Sequence, residues 1–597
     1  MKIKKYISIM FLALTASYTF TACSDDDSLG EAPRLFRPVT SLEVKNNNLV
    51  ATWENIKGAT DYVLELYRVT GTDDQDNNTY ELLSEVSCQT SPYTFEGLNW
   101  DEKYMVKIKC KGIGKESEQY QTLDANIAYI SRLSGTKAID NAVRISWKEA
   151  SGSNADIIKA IKVVTETTAP DAATRAEGED GSETTARIEL VSEAELNAGY
   201  KDIFNLSPET KYTFYAYKDD EILDNSTYAG KLSTTTTTTP DFGELFPNGY
   251  VDLRKEENFK SDLFQDTEYW KEFISEGKGI ILAGGVDYQT SSDSQFEFPY
   301  SVSLITGPTL DANARIVIDN SFKGLSEQTI AKIEFRDITI CGKDVTKKEN
   351  ENLYVKECDV PKFTGSYLFQ NGKNTTIQNL NFKNCLIVGF RSIVRIAGSN
   401  DNYQNVLFEG CTLNGMGEYG IINATKTGEK NKTDFQNLTF RDCTISNMGV
   451  CCDIRAAQST PTIAIENCTF CYAPILRTDK ADWSLFRFKD LAINLNISKT
   501  LFGPAMKANT SGGTIMTYEA SDKGSNMING KNAIVSVSHS YKTNFIWTEY
   551  SGKTYPLDGL LPLDFDEKSL WQDPENGDFK VIGVIGEDGI GASKWLQ

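Results

Sequence analysis

A short phrase repeated down the second half of the chain constrains the fold more than any other feature. Each copy has the form Asn-Leu-x-Phe-x-x-Cys or a close variant, with apolar residues at alternate positions. The copies are Asn379–Cys385, Asn405–Cys411, Asn437–Cys443 and Thr462–Cys468. Alternation with a period of two is typical of a strand with one buried face. The anchoring Phe or Ile recurs at intervals of 26, 32 and 25 residues, which predicts the coils of a right-handed parallel β-helix with loops of variable length.

Weaker copies of the alternating pattern extend this prediction to residues 240–597. They occur at Ala314–Ile318, Lys332–Ile338, Leu495–Thr500 and Ile534–Ser540. Before them, Thr267–Gly277 has apolar residues at helical spacing and is followed by a predicted strand at Gly279–Gly284. We expect this helix to cap the first coil, because an open end would expose strand edges and core.

The cysteines are predicted to pack in the core. The chain has twelve, and Cys385, Cys411, Cys443 and Cys468 occupy one register of the repeat, as a buried ladder of small apolar side chains would. No metal site is predicted, since the sequence lacks two spaced CxxC pairs and contains a single histidine, His539. The sequence leaves open whether Cys88 and Cys110 form a disulfide.

The first 240 residues are predicted to form two β-sandwiches. Trp53 precedes a strand with Tyr104 further on, and Trp147 precedes the phrase Leu206-Ser-Pro-Glu-Thr-Lys-Tyr212. An upstream Trp followed by Leu-x-Pro-x-Thr-x-Tyr resembles the fibronectin type III domain, whose tyrosine locks the corner between two sheets. The predicted domains are 33–125 and 126–239, and the second carries a disordered insertion at Thr167–Thr185. The predicted fold class is therefore all-β, with two fibronectin type III-like sandwiches followed by a right-handed parallel β-helix with an N-terminal helical cap.

The N-terminus has the features of a lipoprotein signal. Lysines 2, 4 and 5 precede an apolar run from Ile7 to Phe20, which ends in Thr-Ala-Cys23. Residues 1–22 are predicted to be a signal peptide, Cys23 the lipidated residue and residues 23–32 an acidic tether. An acidic tract at this place resembles the export tag of Bacteroidetes surface lipoproteins, which implies an outer-membrane lipoprotein facing the cell exterior.

The whole arrangement resembles the lipoproteins of Bacteroidetes polysaccharide-utilisation loci. These join fibronectin type III domains to a pectate-lyase-like β-helix of uncharacterised function, and Trp571–Val581 resembles their closing phrase. The resemblance implies an extracellular polysaccharide as partner, pectin or another uronate polymer, and neighbouring glycan-uptake proteins. The chain has 61 basic and 83 acidic residues, a net charge of −22, which argues against a nucleic acid as partner.

Basic residues cluster in the stretches that follow the repeated phrases. We expect them on the second strand of each coil, where Arg391 and Arg395 share a face because they are four residues apart. A basic strip on an acidic protein would attract a polyanion. The candidate glycan-binding residues are Arg391, Arg395, Tyr419, Asn423, Asp453, Arg455, Arg477 and Lys480.

Binding of a plant polysaccharide is the leading functional hypothesis. The first alternative is a polysaccharide lyase acting by β-elimination, which needs a base and a cation, supplied by Arg, Lys or bound calcium. The second is a structural or adhesin-like surface protein, in which the arginines pair with Asp453 and Asp479. The Arg-x-Pro-x-x-Arg and Trp-Ile-Asp-His phrases of characterised pectate lyases do not occur. Residues 240–597 also lack the Asp-Asp and Gly-His-Gly of polygalacturonases. The sequence thus favours binding over catalysis, assigns no catalytic residue and predicts no cofactor.

Overall fold

A computed structural model describes residues 34–596 apart from several short gaps. The gaps are 74, 149–156, 166–185, 344, 346–366, 371, 397–399, 418, 426–433, 477–483, 512–513, 521–523, 550–551 and 587. The predicted signal peptide, Cys23, the tether, the Thr167–Thr185 insertion, Arg477, Asp479 and Lys480 all lie outside the described residues. Among the described residues, no helix has both the length and the apolar character needed to cross a membrane.

The chain divides into two compact units. The first falls within Met1–Thr136, Arg144–Ile203 and Lys211–Thr235, and the second within Lys137–Val143, Phe204–Thr210 and Thr236–Gln597.

The first sandwich is built from nine strands. They are β1 (Thr40–Lys45), β2 (Asn48–Trp53), β3 (Asp61–Thr72), β4 (Asn78–Cys88), β5 (Tyr93–Phe95), β6 (Glu102–Gly112), β7 (Lys115–Glu116), β8 (Tyr120–Gln121) and β9 (Ala125–Ile127). One sheet has the order β1-β2-β5, and the other has β4-β3-β6 with β7, β8 and β9 pairing to β6. The Tyr104 hydroxyl accepts a hydrogen bond from Asn99 N at 3.0 Å, which fixes the corner before β6. Cys88 and Cys110 are free thiols. Cys88 on β4 and Cys110 on β6 both lie opposite Tyr62 of β3, the strand between them.

The second sandwich repeats this strand order. Its elements are β10 (Leu133–Ala138), β11 (Ala142–Trp147), β12 (Ala160–Thr165), β13 (Ala186–Leu190), α1 (Glu193–Ala198), β14 (Tyr200–Phe204), β15 (Lys211–Tyr217) and β16 (Tyr228–Thr235). The two sheets are β10-β11-β14 and β13-β12-β15-β16. Both sandwiches of the predicted fold class are therefore present.

The second unit winds through three parallel sheets. The first sheet consists of β17 (Tyr250–Asp252), β18 (Lys278–Leu282), β21 (Val302–Thr306), β25 (Ile333–Arg336), β28 (Thr375–Lys383), β31 (Asp401–Glu409), β34 (Asp434–Arg441), β37 (Thr462–Glu466), β41 (Ile493–Ser498) and β47 (Ala533–Ser538), with β24 (Thr329–Ile330) also pairing to β28. The second consists of β19 (Asp287–Gln289), β22 (Arg315–Ile318), β26 (Thr339–Gly342), β29 (Leu386–Phe390), β32 (Thr412–Met416), β35 (Thr444–Met448), β38 (Thr469–Cys471), β42 (Leu501–Phe502), β48 (Tyr541–Lys542) and β50 (Leu561–Pro562). The third consists of β20 (Phe296–Phe298), β23 (Phe322–Gly324), β27 (Tyr367–Gln370), β30 (Ser392–Arg395), β33 (Ile422–Ala424), β36 (Cys452–Ile454), β40 (Phe486–Lys489) and β46 (Ile528–Gly530).

Successive strands enter the three sheets in turn, and each pairs in parallel with the strand one coil away, for example β28 with β31 and β31 with β34. This is the predicted parallel β-helix, and parallel crossovers of this kind are right-handed. Outside the three sheets lie β39 (Ile475–Leu476), β43 (Met506–Ser511), β44 (Thr514–Ala520), β45 (Gly524–Ser525), β49 (Ile546–Trp547), β51 (Trp571–Asp573), β52 (Asp578–Val581), α2 (Phe242–Leu245), α3 (Thr267–Phe273) and α4 (Glu567–Leu570).

The predicted cap is the segment that contains α3. Asp266 caps the helix by accepting a hydrogen bond from Tyr269 N. Trp270 is buried, its ring lies 4.8 Å from that of Phe296 in the first coil of the third sheet, and its indole donates to Leu263 O. The segment thus covers the open end of the core.

Phenylalanines from successive coils stack inside the helix. The ring centroids of Phe335, Phe382, Phe408 and Phe440 follow at 5.3, 4.9 and 5.2 Å, with nearly parallel planes. Parallel pairing in register places identical positions of the repeat one above the other, so each ring meets the same ring in the next coil.

The cysteine ladder is confirmed, and it does more than fill space. All four thiols are buried and free. Cys411 Sγ donates to Phe382 O at 3.3 Å, and Cys443 Sγ donates to Phe408 O at 3.4 Å, so these two thiols reach a carbonyl of the preceding coil. Cys468 Sγ donates to Glu466 O of its own coil at 3.2 Å. The residue before each cysteine has a positive φ, as at Asn384 and Asp442. This left-handed residue bends the chain from the first sheet into the second.

Replacing Phe408 by Ala should lower the free energy of unfolding by about 3–5 kcal/mol, because the cavity would lie between two stacked rings. Phe259→Ala is the matched control, since that ring is half exposed, and should cost less than about 1 kcal/mol. Denaturant unfolding of the full chain measures both. Equal losses would contradict the stacked core.

A buried carboxylate lies at the start of β31. Among the described residues the Asp401 side chain accepts one hydrogen bond, from Gly372 N at 3.2 Å. Burial raises the pKa of Asp401 to about 7. The folded state therefore binds a proton that the unfolded state has lost at the same pH.

Because its folded pKa lies above the unfolded value of about 3.9, Asp401 should make the free energy of unfolding fall as pH rises from about 4 to about 7. The loss should be on the order of 4 kcal/mol. Asp401→Asn should remove this loss, so that the variant becomes the more stable protein at pH 8. Unfolding of both proteins across that pH range tests the prediction, and parallel curves would contradict it.

Candidate functional site

The predicted strip lies on the third sheet, not on the second strand of each coil. β29 and β30 are separated by Arg391 alone, and the sequence gives no break between them. The expectation that Arg391 and Arg395 lie together on the second strand of each coil is therefore wrong, since the chain bends at Gly389, which has a positive φ, and enters a third sheet.

One position of the third sheet carries a polar residue in six consecutive coils. The residues in register are Gln370, Arg395, Asn423, Asp453, Arg487 and Asn529. We call this row the polar ladder. None of its side chains belongs to the apolar core, and neighbouring rungs of a sheet lie about 4.8 Å apart. Of the predicted residues, the ladder contains Arg395, Asn423 and Asp453, while Arg391, Tyr419 and Arg455 flank it.

Two arginines and two tyrosines meet at the N-terminal part of the ladder. The Arg395 guanidinium carbon lies 4.8 Å from the centre of the Tyr367 ring, and that of Arg391 lies 4.5 Å from the centre of the Tyr419 ring. Arg391 Nη2 also donates to the Tyr419 hydroxyl at 3.2 Å, and the two rings are 6.4 Å apart. We call these four residues the tyrosine–arginine cluster. Such contacts hold a guanidinium plane without neutralising its charge.

Arg395 has no carboxylate partner in the described part of the chain. Its Nη1 donates to Gln370 Oε1 at 3.4 Å, and its remaining contact is with Tyr367. The side chain is half-buried. Its donors therefore keep capacity for an additional acceptor.

The C-terminal part of the strip is ion-paired. Asp453 is 1% exposed, and Arg455 Nη2 donates to its Oδ2 at 3.1 Å. Arg487 Nη1 lies 3.3 Å from the same oxygen. Burial raises the pKa of Asp453, although the charges of Arg487 and Arg455 oppose that rise. We call these three residues the ion triad, and they match the structural alternative considered for the arginines.

Asn423 lies between the cluster and the triad. It is buried, and Thr425 Oγ1 is 3.5 Å from its Oδ1. Its Nδ2 has no hydrogen-bond partner in the described part of the protein. A buried amide donor without a partner is costly, so Asn423 is a destabilising element of the ladder.

Sequence reasoning missed four residues of this surface: Tyr367, Gln370, Arg487 and Asn529. All four belong to strands of three or four residues, β27, β40 and β46, which carry no copy of the repeated phrase. The signal that identifies them is the register, which becomes visible only once the coils are aligned. Among the described residues, no group of three or more His, Cys, Asp or Glu side chains is arranged to hold a metal ion.

Removing the central charge of the ion triad should unfold the protein more readily than removing a cluster arginine. Asp453→Ala leaves two guanidinium groups facing each other in a buried site and should cost about 3–5 kcal/mol. Arg395→Ala breaks no ion pair and should cost about 1 kcal/mol or less. The ranking is read from denaturant unfolding, and a larger loss for Arg395→Ala would contradict the assignment of the two sites.

Solved structures with fibronectin type III domains are similar to part of the chain. The FN1–FN3 domains of chicken CNTN1 align over 34% of this chain and 68% of that chain, at 14% identity and a TM-score of 0.13. A two-domain fibronectin type III segment of chicken tenascin aligns over 34% of this chain and 99% of that chain, at 10% identity and a TM-score of 0.14. No protein-family profile and no curated protein matches the sequence.

Proposed function

We propose that this protein is a cell-surface lipoprotein that binds a uronate polysaccharide, such as pectin, on the third sheet of its β-helix. The observation that carries the proposal is Arg395, which is held by Tyr367 and Gln370 and faces no carboxylate in the described part of the chain. A uronate presents one carboxylate per sugar unit, and a guanidinium binds a carboxylate through two parallel hydrogen bonds.

The tyrosine–arginine cluster supplies the two contacts that an acidic sugar needs. Tyr419 is partly exposed and lies beside Arg391, so an apolar ring face and a cation occur together. The face of a sugar ring packs against an aromatic ring, while the carboxylate takes the charge. Tyr367 is buried and serves to position the arginines.

Local charge supports the same ligand class. The chain carries a net charge of −22, so a polyanion is repelled by most of its surface. Among the described residues, the strip combines Arg391, Arg395, Arg455 and Arg487 with one acid, Asp453, so this part of it is positive. A positive surface on a negative protein directs an anionic chain to that surface.

Binding is favoured over β-elimination by the state of Asp453, the one acid among the described residues of the strip. Asp453 is buried and shared between two arginines, whereas a general base must reach the C5 proton of the sugar. In the proposed arrangement Cys23 carries the lipid, the two sandwiches act as a spacer, and the β-helix presents its third sheet to the polysaccharide outside the cell.

Arg395→Ala should weaken binding of polygalacturonate by about tenfold or more, because one charge-assisted hydrogen-bonding group is lost. The control is Arg441→Ala on the first sheet, which removes an exposed arginine paired with Glu409 and Glu466 and should leave the affinity unchanged. Affinity gel electrophoresis and titration calorimetry on the full chain measure both. Equal weakening in the two variants would mean that the loss of affinity reflects only the change in net charge. It would overturn the assignment of Arg395 to the binding site.

The same incubations distinguish the rival functions. Absorbance of unsaturated uronate, measured with and without calcium, would establish a lyase and end the interpretation as a passive binder. Absence of both binding and product across a panel of acidic and neutral polysaccharides would leave a structural or adhesin-like role.

A further inference from the structure

A polar cavity lies on the first sheet, at the beginning of the strands that follow the tyrosine–arginine cluster. Its volume is about 330 Å³, which is at the lower end of the range for small-molecule sites. The polar side chains that matter to its chemistry are those of Asn402, Gln404, Asp434, Gln436 and Gln458. We call it the amide pocket. Nothing in the uronate-binding proposal uses it.

The backbone holds the polar groups of the pocket in place. Asn402 and Asp434 are neighbours in register on β31 and β34, and Asp434 N donates to Asn402 Oδ1 at 2.8 Å. Asp434 Oδ1 accepts from Ser459 Oγ at 2.7 Å and from the backbone N of Gln458 at 3.3 Å. Burial acts to raise the pKa of Asp434, but the hydrogen bonds from Ser459 outweigh it and lower that pKa. The carboxylate is thus a fixed, ionised acceptor.

Other groups in the pocket lack partners. Within the described residues, the side-chain amides of Gln404 and Gln458 make no hydrogen bond, and Asp434 Oδ2 accepts only a long one, at 3.4 Å from Gln436. Each glutamine offers two donors and a carbonyl acceptor. The pocket therefore presents a cluster of donors and acceptors that water or a ligand must satisfy.

The composition of the lining selects the ligand class. The described residues of the lining include no Lys or Arg and one carboxylate, and this set disfavours an anion such as a uronate or a phosphate. A side-chain amide carries a hydrogen-bond donor and an acceptor on neighbouring atoms. Two adjacent hydroxyl groups of a sugar ring also offer a donor and an acceptor side by side, so the two can pair. We propose that the amide pocket binds a neutral sugar unit, with Asp434 and the glutamines pairing with its vicinal hydroxyl groups.

The same coils supply both binding surfaces. β30 ends at Arg395, and Asn402 belongs to the next strand, β31; Arg455 and Gln458 are three residues apart. The pocket therefore lies around the corner from the polar ladder. A heteropolysaccharide with an acidic backbone and neutral side branches has the two chemistries that these neighbouring surfaces select.

The test compares neutral oligosaccharides of three to six pentose or hexose units on the full chain, using saturation-transfer NMR and calorimetry. The double variant Gln404→Ala/Gln436→Ala should weaken binding by about tenfold, since two hydrogen-bonding groups are lost. Asn496→Ala is the matched control, because it removes an exposed amide from the same sheet two coils further on, and should bind as the native protein does.

The outcome is separable from that of the uronate proposal. Arg395→Ala should keep neutral-sugar binding, and the glutamine double variant should keep polygalacturonate binding. Equal affinities for the double variant and Asn496→Ala, or no binding of any neutral oligosaccharide to the native protein, would overturn the amide pocket and leave the strip untouched.

Discussion

The structure depends on the contact between identical positions of successive coils. Parallel strands in register place Phe382 over Phe335 and under Phe408, and the same geometry acts on every other position of the repeat. The outward Asn of the phrase follows it, since Asn405 Nδ2 donates to Asn379 Oδ1 and Asn437 Nδ2 donates to Asn405 Oδ1. An asparagine at this position hydrogen-bonds to the asparagine of the neighbouring coil, so the same residue type recurs from coil to coil. This recurrence makes the phrase recognisable in the sequence.

Cysteine at the bend follows from the same constraint. The position is buried, and it lies within reach of a carbonyl of the preceding coil. A thiol donates weakly to that carbonyl, as Cys411 does to Phe382 O. Cys411 also contacts Glu409 O two residues earlier, and Thr500, which continues the ladder, makes this second contact with Ser498 O. The recurrence of Cys, and then Thr, is therefore explained by a small hydrogen-bond donor at a buried bend of the chain. It does not require a disulfide or a metal ion.

The sequence predicts the fold well and the site only in part, for a physical reason. Repeated positions such as Phe408 and Cys411 are fixed by packing, so periodicity identifies the β-helix, and the Trp and Tyr signals identify the sandwiches. The third sheet has strands of three or four residues, too short for periodicity to register. Arg391 was expected within a single strand, although it separates two sheets, and Tyr367, Gln370 and Arg487 were not singled out. A ladder of unlike polar residues has no signature in one sequence, because its order comes from alignment of the coils.

The first and third sheets also differ in how a change at one rung affects its neighbours. On the first sheet like residues stack, so a change in one rung disturbs its neighbours. On the third sheet the rungs differ, and charge is compensated locally: Asp453 neutralises part of Arg455 and Arg487, while Arg395 is held by a ring and an amide. A buried ion triad is expensive to open, so it fixes the C-terminal part of the surface. The cluster keeps its positive charge because its arginines are held by aromatic rings and by neutral hydrogen-bond acceptors, the Tyr419 hydroxyl and Gln370 Oε1. An anionic ligand would therefore gain from the cluster what it cannot gain from the triad, which is why the proposed uronate site is placed on the coils around Arg391 and Arg395.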